Sequence, residues 1–68
     1  MNNVFYLNNR LETWQPDLTI KNLLDIKEYK FRMLVIKIND ILIKKVDYAS
    51  AIIPMNANVQ ILHLMSGG

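Results

Sequence analysis

Ser66-Gly67-Gly68 is the stretch of this chain whose residue types and placement suggest chemistry. The two glycines are the only glycines in 68 residues. Glycine normally serves tight turns and helix C-caps, where the backbone takes positive φ. Here the turn-like places are filled with Asn and Asp, and glycine is kept for an end where no fold requires it. An end without side chains is thin and flexible, and it closes on a free carboxylate. A C-terminal carboxylate has an ordinary pKa of about 3.3–3.7, so it is ionised at neutral pH and is a poor electrophile. The chain before it reads as a scaffold that presents this group. Residues 1–65 are expected to form a single domain, with 66–68 as a flexible reactive tail.

Little else in the sequence could do chemistry. There is no cysteine, hence no disulfide framework and no thiolate metal site. The lone histidine, His63, excludes a histidine-rich zinc site and reads as a strand residue partly packed against the core. No acid–base pair, nucleophile–base pair or phosphate loop is visible, so no intrinsic catalysis is expected.

The scaffold must be small. A domain of this length buries only about 60% of the surface its unfolded chain exposes, but 51% of the residues are hydrophobic, which makes a compact core feasible. No apolar run reaches the length of a membrane span, and Met1-Asn2-Asn3 lacks the features of a secretory signal. With no disulfides, a cytoplasmic location is expected. The net charge of +2 is mildly basic, with Lys27, Lys30 and Arg32 in one cluster and Lys44 and Lys45 in another. These read as solvated loop charges; a nucleic-acid surface would need a denser basic stripe with interleaved aromatics. A weak electrostatic preference for an acidic partner protein is compatible with them.

Val4-Phe5-Tyr6-Leu7 is β-branched, aromatic and apolar, and predicts a strand. Asn8-Asn9 can form a two-residue hairpin turn, and Arg10 to Trp14 alternates as a half-buried strand. Pro16 breaks the pattern and Thr19 is a good N-cap. Ile20, Leu23, Leu24 and Ile26 supply a helical apolar stripe that should end near Glu28 or Tyr29, with Tyr29 and Phe31 closing one end of the core. Met33 to Asn39 is the strongest strand, with Leu34, Ile36 and Ile38 inward and Met33, Val35 and Lys37 outward. Asn39-Asp40 makes another turn before the short strand Ile41–Ile43. Residues 46–53 have no clean period and predict a loop with one helical turn, pinned by Tyr48 and by Ile52 or Ile53. Asn56 is the expected left-handed residue of the next turn.

The last strand is expected from Val59 to Met65. Asn58 and Gln60 mark its outward face, so parity turns Leu62 and Leu64 outward and Val59, Ile61 and His63 inward. Two outward leucines beside the tail, with Val35 on a neighbouring strand, predict a docking patch. The element order ββαβββ predicts an α+β roll with a mixed sheet and one helix packed on one face. The crossover rule places the third strand, and the fifth, near the first.

In this order the residues resemble the small ubiquitin-like sulfur carriers of bacterial thiamin synthesis, the ThiS family, which have the β-grasp fold. The resemblance covers essentially the whole chain. It rests on Asn8-Asn9, Thr19-Ile20 with Leu23-Leu24, Val35-Ile36-Lys37-Ile38-Asn39, Tyr48-Ala49, Met55-Asn56-Ala57, and above all Gly67-Gly68. Two departures concern turn chemistry and surface charge: Asn stands in place of turn glycines, and the family's acidic-Gly-acidic turn is Met55-Asn56-Ala57 here.

The resemblance implies that the Gly68 carboxylate is adenylated by a ThiF-like partner enzyme using ATP, with no cofactor bound by the carrier itself. Sulfur from a donor such as a cysteine desulfurase persulfide then replaces AMP and leaves a thiocarboxylate, which supplies sulfur to a ThiG-like thiazole synthase. Ser66 and Gly67 would give clearance in the activating cleft, and Leu62, Leu64 and Val35 would hold the partner. Neither nucleic acid nor membrane is an expected partner. Within the same class, a molybdopterin synthase small subunit shares the fold and the Gly-Gly end but usually runs longer; a ubiquitin-like modifier is a further variant. The alternative of a different class is a β-grasp binding module without tail chemistry.

Overall fold

The computed structural model describes residues 3–29 and 33–64. Five strands and one helix run in the order β1 (Val4–Leu7), β2 (Arg10–Thr13), α1 (Ile20–Ile26), β3 (Leu34–Ile38), β4 (Ile41–Ile43) and β5 (Asn58–His63), with a 3₁₀ turn at Lys45–Asp47. The strands form one mixed sheet in the order β2-β1-β5-β3-β4. β5 runs parallel to β1 and antiparallel to β3. This is the expected ββαβββ roll, with one adjustment. The last strand takes the place beside β1, so β3 lies one strand further out than the crossover rule alone suggested.

Both hairpins turn on Asn and Asp. Asn8 and Asn9 have φ of 49° and 68°, and Asn39 and Asp40 have the same pair of values. Two successive left-handed residues give the turn whose twist matches that of the flanking strands. Asp17, Glu28 and Asn56 are the other positive-φ residues among the described ones. Asn and Asp tolerate this region because a short polar side chain can bond locally.

α1 is only seven residues long and is held by its ends. Thr19 caps it: its hydroxyl accepts from the Asn22 N–H at 3.1 Å, and the Asn22 side chain accepts from the Thr19 N–H at 3.3 Å. The next two orphan donors are taken by the irregular segment that follows β4. Ile20 N–H reaches Ala51 C=O at 3.0 Å and Lys21 N–H reaches Tyr48 C=O at 2.9 Å. At the other end Tyr29 N–H bonds Leu24 C=O and Glu28 N–H bonds Asp25 C=O, with Glu28 at φ 57°. That is the Schellman closure, with Glu where glycine is usual. The regular helix therefore stops at Ile26, two residues short of the expected end, and Ile26 is 64% exposed rather than part of the buried stripe.

The core lies between α1 and one face of the sheet. It contains Phe5 and Leu7 of β1, Leu18, Ile20 and Leu23 of the helical region, Ile36 and Ile38 of β3, Ile53, Ala57, and Val59 and Ile61 of β5. Leu18 is buried with Leu23 in the positions of a hydrophobic staple around the Thr19 cap. Of the alternatives at 52 and 53, Ile53 is fully buried and Ile52 is exposed. Trp14 is half-buried and donates its indole N–H to Ile53 C=O at 2.7 Å, which ties the loop to the hairpin. The expected core role of Phe31 falls outside the described residues. Among the described residues, no helix is long and apolar enough to cross a membrane.

Candidate functional site

Ser66, Gly67 and Gly68 lie outside the described residues, as does Met65. What the structure defines is the strand that leads to them and the surface around its end.

β5 is held on both sides by the turn asparagines. β1 pairs with it at Tyr6↔Asn58 and Leu7↔Val59, and the chain then turns away. Ile61 would lose its partner on that side, but the Asn8 side chain replaces it. Its Nδ2 donates to Ile61 C=O at 3.1 Å and its Oδ1 accepts from Ile61 N–H at 2.9 Å. On the other side Asn39 Oδ1 accepts from Asn58 N–H at 2.9 Å, and Asn39 N–H donates to Asn58 C=O at 2.7 Å. A backbone polar group left without a partner is costly, so these two residues fix the path of β5 where backbone pairing gives out.

The register sets the faces. Val35↔Leu62 and Lys37↔Gln60 pair across β3 and β5, and Lys37↔Leu42 across β3 and β4. All lie on the face away from the helix, because Ile36 and Ile61, which pair between them, are in the core. Leu62 is 51% exposed and Leu64 is 47% exposed, while Val35 is half-buried. Leu64 lies just past the strand but keeps its direction, donating its N–H to Met33 C=O at 3.0 Å. Met33 and Leu42 are also exposed and extend the apolar surface toward β4. Leu42 had no assigned face in the sequence. The two-residue turn at Asn39-Asp40 contains the missing information, since it places Leu42 opposite Lys37.

Where this surface rounds the β4 edge there is a shallow open depression of about 380 Å³, lined by Met33, Val35, Leu42, Leu64, Tyr48 and the lysines 44 and 45. Burial pushes the Tyr48 phenol above its ordinary pKa of 10.0. The rim is therefore apolar and cationic, while the described part of the tail's leading strand supplies the leucines.

His63 lies on the core side of β5 with Ile61, as expected, but is not packed there. It is the last residue of β5, paired with the half-buried Leu34, and is exposed. The basic cluster around Lys27 is also not a free cationic patch at that residue, because Lys27 Nζ sits 2.8 Å from Glu12 Oε1. This pair lines a second, polar depression on the helix side with Arg10, Asn8, Leu7 and Tyr29. Lys30 and Arg32 fall outside the described residues. Among the described residues, no cluster of His, Asp or Glu could hold a metal ion.

No family model and no curated protein matches the chain at the level of sequence. In three dimensions it is similar to a crystal structure described as thiamine biosynthesis protein (ThiS) from Geobacter metallireducens. The two share 18% identity and superpose with a TM-score of 0.78 over 96% of this chain and 99% of that one. The β-grasp fold expected from the sequence is therefore the fold of this chain, and it is shared nearly end to end with a protein of the resembled family.

Proposed function

We propose that this protein is a sulfur carrier in thiamin (thiazole) biosynthesis, acting as a protein co-substrate through Gly68 rather than as an enzyme. The observation that carries the reading is the end-to-end likeness to the ThiS structure, which spans the strand leading into Gly67-Gly68. In this reading a ThiF-like enzyme joins the Gly68 carboxylate to AMP from ATP with release of pyrophosphate. The terminal sulfur of a persulfide, such as that of a cysteine desulfurase, then attacks the acyl-adenylate and displaces AMP. A thiol next attacks the inner sulfur of the resulting acyl disulfide and is oxidised to a disulfide with it, freeing the thiocarboxylate, which gives its sulfur to a ThiG-like thiazole synthase.

The residues around β5 suit that role. Fixing each tail residue in a cleft costs about 1–2 kcal/mol of backbone entropy. Leu62 and Leu64 are each about half exposed, so covering them gains roughly half of the ~1.5–3 kcal/mol that full burial of such a side chain supplies. Together with Val35 they offset the ordering of a residue or two. Gly67 and Ser66 keep the path narrow.

The test is ATP–pyrophosphate exchange by a ThiF-like enzyme. Exchange should depend on adding the intact protein and disappear when Gly68 is removed. Exchange that persists without Gly68 would overturn the reading.

A further inference from the structure

β4 is an edge strand, and its sequence is complementary to itself. Its two-residue turn makes Ile38↔Ile41 a hydrogen-bonded pair, so Ile41 and Ile43 spend their backbone groups on β3. The N–H and C=O of Leu42 consequently point to the open edge of the sheet, where no other described strand lies. Ile41 and Leu42 are 66% and 57% exposed. An apolar edge of this kind is a template for another strand, and Lys residues usually blunt it. Here Lys44 follows the strand, but Asp40 precedes it by the same number of residues from Leu42. Neither shares in an ion pair among the described residues.

We propose that β4 pairs antiparallel with β4 of a second copy, on a two-fold axis through Leu42 perpendicular to the sheet. In that register Leu42 exchanges both backbone bonds with Leu42 of the second copy. Asp40 lies opposite Lys44 and Lys44 opposite Asp40, while Ile41 stacks on Ile43 in both directions. Shifting the strands by two residues would put Lys44 opposite Leu42 and forfeit both charge pairs; a one-residue shift would turn apolar side chains to the wrong face. The contact is isologous, so it closes at two copies. Because the axis is perpendicular to the sheet, the two faces bearing Leu62 and Leu64 end on the same side and stay open. The strand has only three residues, which makes the association weak and reversible.

The test is sedimentation equilibrium with NMR at chain concentrations on the order of 1 mM, where a weak contact of this kind is populated. The mass should rise with concentration from one chain toward two, and exchange of the Leu42 amide should slow as it does. Leu42→Pro removes the outward N–H without touching a β3 bond, and should leave a folded monomer. Lys44→Glu and Asp40→Lys should each weaken association about tenfold by setting like charges opposite one another, and an equimolar mixture of the two should restore it as a heterodimer. A monomer at every concentration, or association that survives both charge variants unmixed, would overturn the proposal. The charge pair decides the matter even if Leu42→Pro does not fold. The proposal does not depend on the tail chemistry, and these measurements do not read it.

Discussion

Two asparagines, Asn8 and Asn39, each serve two purposes. Each supplies a left-handed residue to a hairpin turn, and each places a side-chain oxygen on a backbone N–H of β5. Glycine could do the first and not the second. Replacing Asn8 with Gly should keep the turn but strip two bonds from Ile61, destabilising the fold by about 1–2 kcal/mol, as read by urea denaturation. An unchanged midpoint would mean that water replaces the side chain fully. The outward leucines follow from simple alternation with Asn58 and Gln60, and that parity was legible in the sequence. The exposure of His63 was not, because alternation gives a face and says nothing of where the core stops. Leu64→Glu should weaken binding to the activating enzyme by about tenfold or more, since a charge would enter an apolar contact. Its thermal midpoint should stay close to that of the parent protein. Equal binding would place the contact elsewhere.

At the scale of elements, the helix is the case where local rules decide. Seven residues cannot hold a helix alone in water, and α1 persists because its cap, its staple and its two bonds to the 48–51 segment satisfy one end. Thr19 as the cap was legible from its place before an apolar stripe. The spacing of Leu18 and Leu23 around that cap carries the staple signal as well, and it accounts for the burial of Leu18. The early stop was not legible, because it depends on Glu28 adopting φ 57°, which a Glu does reluctantly. Glu28→Gly should therefore stabilise the protein by about 0.5–1 kcal/mol, the relief at the left-handed position exceeding the added freedom of the unfolded chain. Differential scanning calorimetry would check this; a lower midpoint would mean the Glu side chain makes a contact worth more than the strain. The irregular 44–57 segment has no period to read, since its order comes from long-range bonds such as Trp14 to Ile53 and Ile53 to Leu18.

At the scale of the whole molecule, the sheet order puts the last strand beside the first and in the interior of the sheet. A strand in that position is gripped on both sides, so a pull or push on the residues beyond it meets a rigid base. The element order and the crossover rule brought the fold class within reach of the sequence. The insertion of β5 between β1 and β3 came from pairing that no local pattern encodes. The proposed role asks chemistry of the tail and no packing. Removing Gly68 should leave the unfolding free energy within about 0.5 kcal/mol of the intact protein, while abolishing activation by the partner enzyme. A larger loss of stability would give the tail a structural part as well.

Whether Gly68 carries sulfur is read most directly by intact-protein mass spectrometry. After incubation with a ThiF-like enzyme, ATP, a persulfide donor and a thiol reductant, the protein should gain the mass difference between sulfur and oxygen, with fragmentation placing the change on Gly68. An unchanged mass in the presence of an enzyme shown to be active on another carrier would contradict a sulfur-carrying role.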